Sequence, residues 1–271
     1  HFHCDLKRED TIFYFTTCGW MMWNWLVSAL SIGSTIVLYD GSPFYPNGKE
    51  MWKLAEELKF SVFGTSAKYI DACREHNIFP STFSKLPKLR SILSTGSPLV
   101  EESFEYVYKH VKRDVHLASI SGGTDIISCF ALGSPTLEVV KGELQCRGLG
   151  MDVHSYDENG NAIIEKKGEL VCTSAFPSMP VYFWNDRDGS KYKNAYFSTF
   201  PSIWHHGDFI RISKKGSLKI YGRSDSTLNP GGVRIGTSEI YRVVNSMDII
   251  EDSLVIGQEW EGDQRIILFV L

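Results

Sequence analysis

A chain of 271 residues has room for one large or two modest domains, and 43% hydrophobic with 22% charged residues is the make-up of an ordinary globular protein. A formal net charge of -4 gives no reason to invoke a nucleic acid or an anionic membrane as partner. Cys4, Cys18, Cys73, Cys129, Cys146 and Cys172 are scattered without a C-x-x-C pair, which favours a reducing compartment, the cytosol, over a disulfide framework.

The chain opens HFHCDLKRED, with no leader-like segment. The apolar stretch from Ile12 to Leu38 is broken by Cys18-Gly19, Asn24 and Gly33-Ser34, which reads as buried strand and helix rather than a membrane span. Thr11–Phe15 predicts a strand, Met21–Leu30 a helix and Thr35–Tyr39 a second strand. Glu50–Leu58 has apolar positions at helical spacing, and Ser61–Gly64 follows as a strand. Ala67–His76 and Val100–Lys112 predict helices, and Arg90–Ser94 and Val115–Ser119 predict strands. Near-continuous apolar strands alternating with helices argue for a parallel sheet covered on both faces. After Gly133-Ser134-Pro135 short β runs and turns take over, predicting a β-rich subdomain to about Tyr221. A helix at Ser238–Val244 and strands at Ser253–Ile256 and Arg265–Leu271 begin a further domain. With no initiating Met and a last strand that stops without a turn, we expect a piece of a longer protein.

Ligands bind beyond the carboxyl ends of parallel strands. Two such junctions stand out, Leu93 to Pro98 and Ser119 to Asp125. In the second, Gly122-Gly123 suits backbone contact with a nucleotide, and Thr124 and Asp125 supply a hydroxyl and a carboxylate able to hold Mg2+ beside substrate phosphates. A hairpin or a helix cap is the plain alternative. Further on, Gly222–Ile240 places Arg223, Asp225 and Arg234 along a glycine-rich stretch. Arginine is a forked, permanent cation suited to phosphate and ribose oxygens.

Four segments in this order resemble the motifs of the adenylate-forming (AMP-binding, acyl-CoA synthetase) superfamily. They are Thr95-Gly96-Ser97-Pro98, Ser121 to Asp125, Trp204-His205-His206-Gly207-Asp208, and Gly222 to Arg234. Two positions depart from the family pattern: Ser121 stands for an aromatic residue and Asp125 for Glu. The resemblance implies an α/β fold, with a large domain of parallel sheets and helices (1–134), a β-rich subdomain (135–224), and a hinge opening a small α+β domain (225–271). It implies ATP or AMP contacts from Gly96, Ser97, Pro98, Ser121, Gly122, Gly123 and Thr124. Asp208 and Arg223 would take the ribose, and Arg234 the phosphate. Thr124, Asp125 and Arg234 are the implied catalytic residues, with Mg2+ at Asp125. Gly231 and Gly232 would face coenzyme A, and Asp225 would be the pivot of the small domain.

Similarity is densest at Thr16 to Trp25, Ser94 to Leu99, Ser119 to Ser128 and Gly222 to Arg234, and there it is to the acetoacetate-activating branch. Trp20, Asn24 and Gly122 are the implied acyl-pocket residues. Related acetyl-CoA synthetases carry Trp at the position of Gly122, so its absence implies room for an acid longer than acetate. Acetoacetate fits that size, and propionate and butyrate stay open. The implied reaction is an acid-thiol ligation in which acid, ATP and CoA give acyl-CoA, AMP and pyrophosphate through an acyl-adenylate. The family's upstream phosphate loop and its small-domain catalytic lysine are not found between His1 and Leu271. The chain alone is therefore expected to bind nucleotide weakly and to adenylate at a negligible rate, and an inactive remnant is the alternative reading. A peptide-assembly adenylation domain is disfavoured because no carrier module is seen. His1, His3 and Cys4 offer too few ligands for structural zinc. His205 and His206 are expected to orient Asp208, and Cys18 and Cys129 to be packing residues rather than nucleophiles.

Overall fold

The computed structural model describes residues 1–224, 227–228, 235–260 and 263–271. These divide into two compact units. The first is His1–Asp152 with Ala175–Phe183 and Lys215–Leu218, and the second is Val153–Ser174 with Trp184–Lys214 and Lys219–Leu271.

The first unit is built on strands β1 (Thr11–Tyr14), β2 (Thr35–Val37), β3 (Val62–Ser66), β4 (Ser91–Thr95) and β5 (His116–Ser119). They form one parallel sheet in the order β2-β1-β3-β4-β5. Side chains alternate between its faces with the two-residue period of a strand. Phe13, Phe63, Ile92 and Leu117 enter one apolar cluster, while Ile12, Tyr14, Val62, Leu93 and Ala118 enter another. Helices α2 (Glu50–Glu57), α3 (Ala67–Glu75) and α4 (Glu101–Tyr106) supply Trp52, Ala55, Ile70, Cys73 and Phe104 to the first cluster. Helix α1 (Met21–Ser28) supplies Met21, Met22 and Leu26 to the second. Both faces are thus covered, which is why these strands read as continuous apolar runs rather than as alternating ones.

Local chemistry fixes the element ends. The Ser66 hydroxyl accepts from the Tyr69 N–H at 3.1 Å and caps α3. Helix α1 stops two residues before the expected Leu30 and tightens into a 3-10 turn, Ala29–Ile32, closed by Gly33 at φ +85. The helix expected over Val100–Lys112 ends its α-helical part at Tyr106 and continues as a π turn, Val107–Val111. At the amino edge of the sheet Asp10, 3% exposed, takes both nitrogens of the Arg90 guanidinium at 2.6 and 2.9 Å and the Lys7 N–H at 2.8 Å. Burial alone would raise the Asp10 carboxyl. The Arg90 hydrogen bonds and charge, with Lys7 and Ser61, outweigh it and hold the group below its usual value.

Beyond β5 the first unit continues with β6 (Ser121–Gly123), β7 (Ser128–Leu132) and β8 (Cys146–Arg147), an antiparallel set ordered β6-β7-β8. In the second unit β9 (Val153–Tyr156), β10 (Lys167–Cys172), β11 (Trp204–Ile212) and β12 (Leu218–Arg223) form the antiparallel sheet β12-β11-β10-β9. Helix α5 (Ser190–Tyr196), for which the sequence reading has no counterpart, lies between β10 and β11. The short pair β13 (Thr227–Leu228) and β14 (Ile235–Gly236) leads to α6 (Thr237–Val244). The hairpin β15 (Ser253–Trp260) with β16 (Asp263–Val270) runs longer than the two expected strands. The Ser238 hydroxyl donates to the Tyr221 carbonyl, and Lys167, seated 4.7 Å from the Phe209 ring centre, reaches Glu239 at 3.2 Å. No helix among the described residues is long and apolar enough to cross a membrane.

Burial sets thiol reactivity. Cys4 and Cys73 are pushed up to about 11 by desolvation, Cys129 is raised further, and Cys18 is exposed. The thiolate is the species that reacts. Brief treatment with iodoacetamide at pH 8 is expected to modify Cys18 and to spare Cys4, Cys73 and Cys129 in the folded protein, as read by peptide mass spectrometry. Denaturant should expose the other three.

Candidate active site

In the first unit the candidate residues sit at the carboxyl edge of the parallel sheet. Strand β4 runs into Thr95, whose hydroxyl donates to the Ile120 carbonyl at 3.1 Å, and the chain then turns through Gly96, Ser97 and Pro98, all exposed. Gly96 has φ +90, a left-handed conformation that disfavours any side chain, and the nearest atom to an added Cβ is Ser66 Cβ at 3.8 Å. The glycine thus serves the turn and leaves its outer side open. Beneath it, Thr65 and Ser94 are register partners on β3 and β4, 1% and 0% exposed, and their hydroxyls have no hydrogen-bond partner among the described residues. Buried polar atoms are nearly always satisfied, so two orphans at the carboxyl edge mark it as unusual. The only sequence signal for them is a hydroxyl residue inside an apolar strand.

The Ser121–Asp125 segment takes the hairpin alternative. Ser121, Gly122 and Gly123 form β6 against β7, with a register shift between Ser121 and Gly122. Thr124 and Asp125 are exposed at the tip, which the Ile127 N–H closes on the Thr124 carbonyl at 3.1 Å. Gly122 lies so close to β7 that an added Cβ would stand 2.0 Å from the Ser128 carbonyl oxygen and 2.7 Å from Cys129 Cα. The direction a side chain would take at Gly122 therefore leads into the partner strand. Trp20 is the residue just before α1 and is 59% exposed, and Asn24 is exposed on that helix. Asn24 borders a groove of about 350 Å³ with Met21, Trp25, Ser128 and Cys129, whereas Trp20 and Gly122 do not border it.

In the second unit the Trp204–Asp208 motif is a bulge. Val171 pairs with His205 and Glu169 with Phe209, so His206, Gly207 and Asp208 together face the single residue Leu170. Gly207 has φ +79, and an added Cβ would lie 2.8 Å from Arg223 Nη2. Arg223 Nη1 donates to the His206 carbonyl at 3.1 Å and stands 3.6 Å from Asp208 Oδ1, while the Ser224 N–H donates to the Gly207 carbonyl at 2.8 Å. The structure thus brings Asp208 and Arg223 together, with Asp208 only 7% exposed. Trp204 is the anchor of the bulge, 1% exposed and stacked on Tyr196 of α5 at 3.7 Å between ring centres. The unforeseen helix therefore backs the motif. Its available signal was the Asp186 to Ser190 turn, where the Asp186 carboxylate accepts the Lys191 and Tyr192 N–H groups. Asp225, Gly231, Gly232 and Arg234 lie outside the described residues.

The parallel sheet covered on both faces, the β-rich unit and the bulge carrying Asp208 with Arg223 are similar to the fold of an adenylate-forming synthetase. No family model matches the chain. It is 56% identical over 269 residues to the acetoacetyl-coenzyme A synthetase of Rhizobium meliloti (strain 1021), covering 99% of this chain and 41% of that protein. It is 50% identical to the acetoacetyl-CoA synthetase of Gallus gallus, covering 99% of this chain and 40% of that one. Its fold matches the solved acetoacetyl-CoA synthetase from Streptomyces lividans with a TM-score of 0.91 and 47% identity, over 99% of this chain and 41% of that one. Over nearly its whole length the chain is similar to acetoacetyl-CoA synthetases. It spans about two fifths of the length of these relatives.

Proposed function

We propose that this chain is part of an acetoacetate–CoA ligase that converts acetoacetate, ATP and coenzyme A to acetoacetyl-CoA, AMP and pyrophosphate through an acyl-adenylate, in the cytosol. The observation that carries this reading is the likeness to acetoacetyl-CoA synthetases over 99% of this chain, at 56% and 50% identity. We further propose the three-part division 1–134, 135–224 and 225–271.

The proposed roles follow the motif resemblance, and for Gly96, Asp208 and Arg223 the local geometry supports them. Gly96, Ser97 and Pro98 form an open turn for the adenine side, and Ser121, Gly123 and Thr124 give backbone and hydroxyl contacts to the nucleotide. Trp20, Asn24 and Gly122 border the acyl group, Gly122 through its backbone alone. Asp208 and Arg223 take the ribose, where a carboxylate accepts two hydroxyl donors and a guanidinium donates to oxygen. Thr124, Asp125 and Arg234 act on the phosphates, Gly231 and Gly232 face the pantetheine, and Asp225 is the pivot. Such chemistry depends on positioning and charge neutralisation more than on covalent help from the protein.

Asp125 also fits Mg2+. It is a single exposed carboxylate, and the described residues hold no cluster of three or more candidate ligands. That donor set suits an ion that keeps most of its water and takes the rest of its ligands from phosphates. When bound, the ion would neutralise phosphate charge.

The test is pyrophosphate release with acetate, propionate, butyrate and acetoacetate, using this chain in its full natural sequence context. Acetoacetate is expected to give the highest kcat/KM. A rate with butyrate equal to that with acetoacetate would remove the acid assignment while leaving the ligase class standing.

A further inference from the structure

Asp208 is bracketed by two groups that address its two oxygens separately. Arg223 Nη1 stands 3.6 Å from Oδ1, and His206 Nε2 stands 3.8 Å from Oδ2. His206 and Asp208 are each 7% exposed, so both are shielded from bulk water. The ring of His206 is held from behind, because Trp204 Nε1 lies 3.5 Å from Nδ1 within the buried stack on α5. An indole N–H can only donate. Nδ1 is therefore the acceptor, and the ring proton sits on Nε2, the atom that faces the carboxylate. The Arg223 hydrogen bond to the His206 carbonyl fixes the backbone of the same residue. His205 pairs instead with Glu169 on β10 at 2.9 Å and does not compete.

We propose that His206 is a positioning residue: with Nε2–H turned toward Asp208 Oδ2 at 3.8 Å, an electrostatic contact longer than a hydrogen bond, it biases that carboxylate toward the orientation that receives the two ribose hydroxyls. This rests on the reading of Asp208 as the ribose ligand. The chain of support runs from α5 through Tyr196 and Trp204 to His206 and then to Asp208, so the helix between β10 and β11 acts on nucleotide affinity without touching nucleotide. Of the two histidines in the motif, only His206 has this role.

The test compares ATP with 2′-deoxy-ATP, which lacks one of the two hydroxyls, as dissociation constants on the protein in its full natural sequence context. His206→Leu is expected to weaken ATP about threefold, the size of a modest electrostatic contact, and to weaken 2′-deoxy-ATP, which keeps one hydroxyl for Asp208, by less. His206→Gln, which keeps an N–H donor near the Nε2 position, is expected to restore most of the ATP affinity. His205→Leu should leave the ratio of the two constants as it is. Equal weakening of both nucleotides by His206→Leu, or no rescue by His206→Gln, would show that His206 only supports the fold, and the inference fails. Asp208→Ala separates the two layers. If it leaves the ATP to 2′-deoxy-ATP ratio unchanged, the ribose reading itself is wrong. If it abolishes the ratio while His206→Leu does not alter it, only the positioning role falls.

Discussion

Gly122→Ala is expected to cost about 3 kcal/mol of folding stability, at the upper end of what overpacking usually does. The reason is geometric. An added Cβ would meet Ser128 O at 2.0 Å and Cys129 Cα at 2.7 Å, both backbone atoms of the partner strand that no rotamer change can move aside. Relief requires β6 to part from β7. The measurement is a urea or thermal midpoint, with Gly19→Ala as control. At Gly19 the nearest atom to an added Cβ is Thr17 Oγ1 at 3.9 Å, and a change within about 0.5 kcal/mol is expected there. Gly122→Trp sharpens the point. If Gly122 were merely the missing wall of a pocket, Trp would turn acetoacetate away, admit acetate and leave stability intact. The structure predicts a large loss of stability and of activity with every acid. An unchanged midpoint in either variant would refute this account of Gly122.

Arg90→Met is expected to cost about 2–3 kcal/mol at neutral pH. Removing one partner from a buried ion pair costs more than that when both charges are sealed from water. Here the Arg90 side chain is 45% exposed and Asp10 only 3%, so solvent screens part of the loss. What remains is a carboxylate buried without its cation. The pH dependence follows from the direction of the shift. In the native chain Asp10 lies below its unfolded value, which for aspartate is about 3.9. Its contribution is therefore complete above that pH and is lost as pH falls through the lower folded value. In Arg90→Met burial is no longer opposed by the guanidinium, so protonation of Asp10 favours the folded state. The stability gap between the two proteins is expected to be full at pH 7 and to narrow as pH falls, starting above the unfolded value of about 3.9, where Asp10 of the variant begins to take up its proton, and continuing down to the lowered native value. A gap that stays constant to pH 3 would mean that Arg90 acts by packing its alkyl stem rather than by charge.

The parallel sheet was legible because both of its faces are covered. Full burial writes short apolar runs such as Ile12–Tyr14 and Val62-Phe63 into the chain, and glycine, proline and capping residues punctuate them. Each expected element of the first unit is present, with its ends displaced by no more than a few residues where turn chemistry decides. Helix α5 was hidden because none of its residues is buried, so no apolar stripe marks it. It is held by the Asp186 cap and by its rings on Trp204, contacts that no local period reveals. The hairpin at Ser121–Gly123 was visible only as one of two readings, because paired glycines suit a ligand-binding loop and a tight strand contact equally.

By itself the sequence determined the type and order of the main elements, the family resemblance and the residue types available for a nucleotide. These depend on local period and motif spacing, which are written along the chain. Only the tertiary structure decided that Gly122 faces a neighbouring backbone and that Thr65 and Ser94 bury, side by side, hydroxyls with no partner among the described residues. Only it decided that His206 and Arg223 bracket Asp208. Each of these is a contact across strands, except the His206–Asp208 approach, which lies within the β11 bulge. The distances are set by register and by a bulge, and both arise from long-range pairing that the local sequence pattern does not encode.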